Sequence, residues 1–185
     1  PSSRSATVNN PVTAFATVIN SGANTATDCA LTPQTMVPGE FSWQITDPAT
    51  NLPVGEANRP VDIAAGASQS FVFAITPTSV FAPADVQIGF DCANTARALP
   101  ISGVNTLLLS SSGTPSPDVV ALGTTTSGDG VLRMAGESGA FAVATSNVAA
   151  SGNITISADT GGTALPLVLN VCQTDSDSGA CINPV

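Results

Sequence analysis

The 185-residue chain has no histidine and no tyrosine, and its four basic residues (Arg4, Arg59, Arg97, Arg133) are all arginine, so it has no lysine. Each absence removes a class of chemistry. Without His, neither a Ser/His/Asp nor a Cys/His catalytic pair can be assembled from this chain. Without Lys there is no Schiff base, no P-loop lysine and no Lys–Asn isopeptide crosslink. Zinc sites built on His are excluded, and the four cysteines contain no CxxC pair. Charged residues make up only 9% of the chain, and the net charge is −9. A surface of that sign with scattered Arg repels nucleic acid and anionic lipid, and no basic patch exists to bind either. No apolar run nears the ~20 residues of a membrane-spanning helix, and Leu107-Leu108-Leu109 reads as the core of a strand. The chain opens at Pro1 without Met or a charged leader, so any signal peptide is expected to be removed or to lie upstream.

What is present is β-sheet. Hydrophobic residues reach 43%, enough to bury a core and to argue against disorder. The main core is expected between residues 40 and 92. Phe41, Trp43 and Ile45 share one parity, as do Phe71, Phe73 and Ile75, and Val86, Ile88, Phe90 and Cys92. A period of two places each set on one face of a strand. Further strands are expected at 12–19, 27–32 and 106–110, separated by Asn20-Ser21-Gly22, Pro38-Gly39 and a proline-containing loop over 47–60. Residues 1–10 read as a loose polar lead-in. No apolar 3.6-residue period persists for three turns, so helix is not expected.

The run Ser110-Ser111-Ser112-Gly113-Thr114-Pro115-Ser116-Pro117 has the composition of a linker. It divides the chain into an immunoglobulin-like β-sandwich at 1–112, a linker at 113–117 and a second sandwich-like domain at 118–185. The second half shows strand patterns at 118–122, 131–134, 140–145, 153–158 and 165–172, with a turn at Ser127-Gly128-Asp129-Gly130.

The first half resembles a known family. Ala16-Thr17-Val18-Ile19-Asn20-Ser21-Gly22, followed by Ala26-Thr27-Asp28-Cys29-Ala30-Leu31-Thr32, is similar to the strand, N-x-G turn and strand of CARDB-type immunoglobulin-like repeats. Ile63-Ala64-Ala65-Gly66-Ala67-Ser68-Gln69-Ser70-Phe71-Val72-Phe73 is similar to that family's glycine turn and aromatic strand. The match covers roughly residues 12–110. The resemblance implies a sandwich in an exported or surface-displayed bacterial or archaeal protein, used as a non-catalytic repeated module. It carries no site residues.

Four Cys in a Lys-free β-chain point to two disulfides and a place outside the cytosol, extracellular or at the cell surface; the alternative is four buried thiols in a reducing compartment. Shared inward parity pairs Cys29 with Cys92, and hairpin spacing pairs Cys172 with Cys181. Cys29, Trp43 and Cys92 also resemble the Cys…Trp…Cys pin of antibody domains, although a full strand at 12–19 precedes Cys29 and would place it on the third strand, bonded to a neighbour in its own sheet. Asp175, Asp177 and Gly179 resemble the opening of a calcium loop, but no acidic residue follows to complete the shell, and a polar turn is the favoured reading. Asn153-Ile154-Thr155 fits the glycosylation sequon but is expected to be a chance match on a strand. The 13 acidic residues, many in turns such as Asp47, Asp129 and Asp177, offer no defensible glycosidase pair.

These readings converge on an all-β protein of two tandem immunoglobulin-like sandwiches, without catalysis, cofactor or metal. It would serve as a secreted or cell-surface structural or adhesive module whose partners are protein: copies of itself, up to a homopolymer, or neighbouring modules. One alternative is a self-assembling subunit of an extracellular filament; the mean hydropathy of +0.30 is high for an exported domain, and edge-protecting Lys is absent. Another is an accessory domain of a secreted hydrolase. Residues 118–185 are too few for the ~100 residues of an immunoglobulin-like sandwich. That half is therefore expected to be completed by further chain or by a neighbour's strand, with residues 4–12 as the donor.

Overall fold

The computed structural model describes residues 3–128, 131–134, 136–160 and 163–183. The fold is all-β, with no helix among the described residues. The chain forms two compact units, Pro1–Gly152 and Asn153–Val185, a division later in the sequence than the Ser/Pro run.

The first unit contains β1 (Ser3–Thr7), β2 (Val12–Ile19), β3 (Ala26–Pro33), β4 (Gly39–Thr46), β5 (Val61–Ile63), β6 (Ser68–Pro77), β7 (Phe81–Asp91), β8 (Thr106–Ser112), β9 (Val119–Thr124) and β10 (Ala142–Asn147). One sheet has the order β1-β8-β7-β3-β5, a second β2-β6-β4, and among the described residues β9 pairs with β10 alone. The first two sheets share one core. Ala6, Leu31, Val86, Ile88, Leu107 and Leu109 enter it from the five-stranded sheet, and Val12, Ala14, Trp43, Phe71, Phe73 and Ile75 from the three-stranded one. The period of two explains the assignment. Phe71, Phe73 and Ile75 are buried on alternate positions of β6, and Leu108 is exposed between buried Leu107 and Leu109. Trp43 meets Phe71 edge-on at 5.6 Å between ring centroids, and Phe41 lies 5.9 Å from Phe73. Both geometries suit aromatic quadrupoles.

The strands β2-β6-β4 and β8-β7-β3 pair in the order of strands B-E-D and G-F-C of an immunoglobulin sandwich. Two departures matter. β5 follows β4 in the chain yet returns to the other sheet, beside β3. β1 does not lie beside β2, the place of strand A, but runs parallel to β8, with Ser3 opposite Leu108 and Thr7 opposite Ser112. The N-terminal stretch is therefore neither a loose lead-in nor a free donor strand. Residues 3–7 already complete a sheet of their own unit, and Ala6 is buried in its core. With β1 placed there, β2 is left at the edge of its sheet.

Much of the expected second half is not strand. Residues 131–134, 153–158 and 165–172 have no strand assignment, and the expected strand at 140–145 is realised as β10, two residues later. Asp129 and Gly130 of the expected turn lie outside the described residues. The physical reason is the missing neighbour. Alternation makes one face apolar, but a strand persists only where an adjacent strand takes up its backbone groups. Among the described residues β9 and β10 have only each other, and Leu122, Val143, Ile154, Ile156, Leu167 and Val168 are exposed. Among its described residues the second unit holds one short antiparallel pair, β11 (Gln173–Thr174) with β12 (Cys181–Asn183).

Candidate functional site

Cys29 bonds to Cys92, and Cys172 to Cys181. The first bond joins β3 to the residue just after β7, and these are adjacent strands of one sheet, with Leu31 opposite Phe90. It does not bridge the two sheets. Trp43 lies on β4 in the opposite sheet and belongs to the main core, whereas Cys29 packs in a smaller cluster with Ala26 and Ile63, against Cys92 and Val18. The antibody-type pin is therefore not assembled, because the Trp-bearing strand crosses to the other sheet before the chain reaches it. Cys29 reaches its buried position through an irregularity. The register with β5 shifts between Ala26 and Cys29, and Asp28 takes a φ of 51°, so Ala26 and Cys29 both face inward three positions apart.

The two turns that carry the family resemblance touch each other. The Asn20 side-chain amide donates to the carbonyls of Asn24 (2.8 Å), Ile63 (2.9 Å) and Ala64 (3.1 Å), and its Oδ1 accepts the Gly22 N–H. The Gly66 N–H donates to the Asn20 carbonyl, and Gly66 sits at φ +71°. One Asn thereby ties the β2–β3 turn to the β5–β6 turn, a closure no local motif announces.

Sequence reasoning also missed a buried ion pair. Arg4 Nε donates to Asp118 Oδ2 at 2.8 Å, and the Ser5 N–H donates to Asp118 Oδ1 at 2.8 Å. The Asp118 carboxylate is 1% exposed and the Arg4 side chain 14%. Asp118 N–H donates to Asn147 Oδ1 on β10, and Arg4 Nη1 donates to the Thr13 carbonyl on β2. These contacts fix β1 to the entry of β9 and to the edge of β2. With 113 residues between the partners, no spacing signal could have found the pair.

The loop between Cys172 and Cys181 is a polar turn. Asp175 Oδ1 accepts the N–H groups of Asp177 and Ser178 and the Ser178 hydroxyl, and Gly179 takes φ +69°. The Ser178 N–H and hydroxyl, with the Asp177 N–H, hold the Asp175 carboxyl below its ordinary range. Its oxygen is thus turned into its own loop. Among the described residues, no group of three or more His, Cys, Asp or Glu gathers where it could hold a metal ion. Asn153 is exposed and lies outside any strand.

A cleft of about 450 Å³ runs beside β2. Phe15, Val18 and Phe73 line it from the three-stranded sheet, and Phe90, Val104 and Asn105 from β7 and the connection to β8. None of its lining residues is ionisable; the walls combine apolar side chains with Thr17, Asn105 and Thr106. Its origin is topological, because the strand that would flank β2 lies on β8 instead. Compared with protein-family models, curated proteins and solved structures, the chain matches none of them.

Proposed function

We propose that this chain is a non-catalytic structural or adhesive β-module that works outside the cytosol. The observation that carries the reading is the pair of disulfides, which persist in oxidising compartments and are rare where thiols are kept reduced. The composition agrees, since a chain without His, Lys or Tyr has few groups for acid–base or nucleophilic work. The resemblance of the Asn20 and Gly66 turns to those of CARDB-type repeats agrees with a surface module. A second reading, a subunit of an extracellular filament, is favoured by the exposed apolar residues from Leu122 onward, which invite a covering partner. Any strand that covers them must come from elsewhere than residues 3–7, which are engaged in their own sheet. Immunogold labelling of intact cells that make the chain, with negative-stain microscopy of the released material, tests both readings. Label on the outer surface is expected; label confined to the cytosol overturns the proposal.

A further inference from the structure

We infer that β2 is a self-association edge, at which a second copy of this chain adds its own β2 antiparallel across a two-fold axis. The inference deepens the reading of the chain as a module that partners with itself, and it rests on that reading. β2 is the terminal strand of its sheet, and its eight residues pair with β6 without a register shift. The Asn20 N–H donates to the Ala67 carbonyl one step beyond that register, so the even-numbered residues of β2 bond to β6. The backbone groups of Phe15, Thr17 and Ile19 therefore face outward along the free edge. Thr13 belongs to the same set, and its carbonyl is the acceptor taken by Arg4, which is consistent with that direction.

Natural edges are protected by charge, proline, bulges or a covering element. β2 has no charge, no proline and no bulge. Its outward face shows Phe15 at 53% and Ile19 at 71% exposure. Electrostatics selects this edge for contact between copies. The chain carries a net charge of −9, so two copies repel over most of their surfaces, yet residues 5–27 contain no ionisable side chain.

The strand is self-complementary in one register that avoids the Arg4-occupied end. With Thr17 opposite Thr17 of the second copy, Phe15 meets Ile19 and Ala16 meets Val18. All three odd-numbered residues then lie in hydrogen-bonded pairs, consistent with the groups they turn outward. On the outer face two Phe–Ile pairs flank a Thr–Thr pair, both favourable cross-strand combinations. The interface is isologous, so it closes as a dimer. The added strand also covers the β2 side of the cleft.

The test uses the full oxidised chain in sedimentation equilibrium across a concentration series. The wild-type chain is expected to dimerise reversibly. Thr17→Glu sets two like charges opposite each other, and self-association should weaken about tenfold or more. Thr17→Lys alone should weaken it likewise, while an equimolar mixture of the two variants should restore dimers as heterodimers. Circular dichroism checks that each variant folds, which the exposed position of Thr17 favours. Should either charge variant fail to fold, Thr17→Cys serves instead: hydrogen-bonded antiparallel partners lie ~5.5 Å apart at Cα, within disulfide reach, so crosslinked dimer should form on oxidation. A wild-type chain that stays monomeric, a Thr17→Glu chain that associates like wild type, a mixture that fails to recover, or no crosslink at Thr17→Cys overturns the β2 pairing. The module reading fails on a different result, the cytosolic label described above.

Discussion

Removing the Asp118 carboxylate should loosen the first unit at the N-terminal strand. In the folded chain this carboxylate is 1% exposed, accepts Arg4 Nε and the Ser5 N–H, and sits where β1, β2 and β9 converge. Asp118→Ala leaves a guanidinium that is 14% exposed without its counter-charge, and a strand N–H without its acceptor. Breaking one side of a buried pair costs about 3 kcal/mol. With a urea slope of ~2 kcal/mol/M, that lowers the unfolding midpoint by about 1.5 M. Arg4→Ala should cost a similar amount, because it strands the more buried partner. The double variant should lose only about 4 kcal/mol in total, a coupling of roughly 2 kcal/mol. The assay is urea unfolding followed by Trp43 fluorescence, since Trp43 lies in the main core that Ala6 of β1 helps to close. A midpoint for Asp118→Ala within about 0.3 M of wild type, or a coupling near zero, would refute the role of the ion pair; either result would mean that the carboxylate is solvated and β1 is not held there.

Replacing both Cys29 and Cys92 by Ala should destabilise the first unit by about 4 kcal/mol, the loop-closure entropy expected for a separation of 63 residues; thermal unfolding measures it. Gly66→Ala should cost about 1 kcal/mol, because φ +71° strains any L side chain, with the loss read from the same unfolding curves. Asp47, Asp85 and Asp175 have folded pKa values lowered from 3.8, Asp47 chiefly by the Thr50 N–H, Asp85 by the Thr106 hydroxyl and Asp175 by the Ser178 N–H. Lowered values mean that the folded state binds fewer protons than the unfolded one. Their contribution is therefore present above pH 3.8 and is lost as pH falls through the folded values. Thr50→Ala should raise the Asp47 midpoint partway toward its ordinary value in a carboxyl-carbon NMR titration, since the Thr50 hydroxyl contact goes and the backbone contact stays.

The sandwich core was legible because aromatic residues repeat at a period of two on strands that have neighbours. Phe71, Phe73 and Ile75 are buried as their parity requires, and Cys29 pairs with Cys92. Position in the topology was less legible. The spacing of Cys29, Trp43 and Cys92 suggests one cluster, but the Trp strand joins the opposite sheet. β1 was hidden because Ser3-Arg4-Ser5-Ala6-Thr7 is mostly polar; it is a strand through its pairing with β8 and its ion pair to a residue more than a hundred positions away. The opposite error occurred at Leu165, Leu167, Leu169 and Val171, whose alternation is as regular as that of β6. Parity tells which face would be apolar; it does not supply the neighbouring strand, and these side chains stay exposed. The cleft beside β2 was invisible for the same reason, since it arises from where β1 is not.

We propose that the two disulfides pin a β-module that works in an oxidising compartment. The most direct test is peptide mapping, under non-reducing conditions with thiols blocked, of protein taken from the cells that make it. Two linked peptides are expected, one joining Cys29 to Cys92 across neighbouring strands and one joining Cys172 to Cys181 across the short loop, with no blocked thiol at any of the four positions. Four blocked thiols, or a bond from Cys29 to Cys172 or from Cys92 to Cys181, would contradict it.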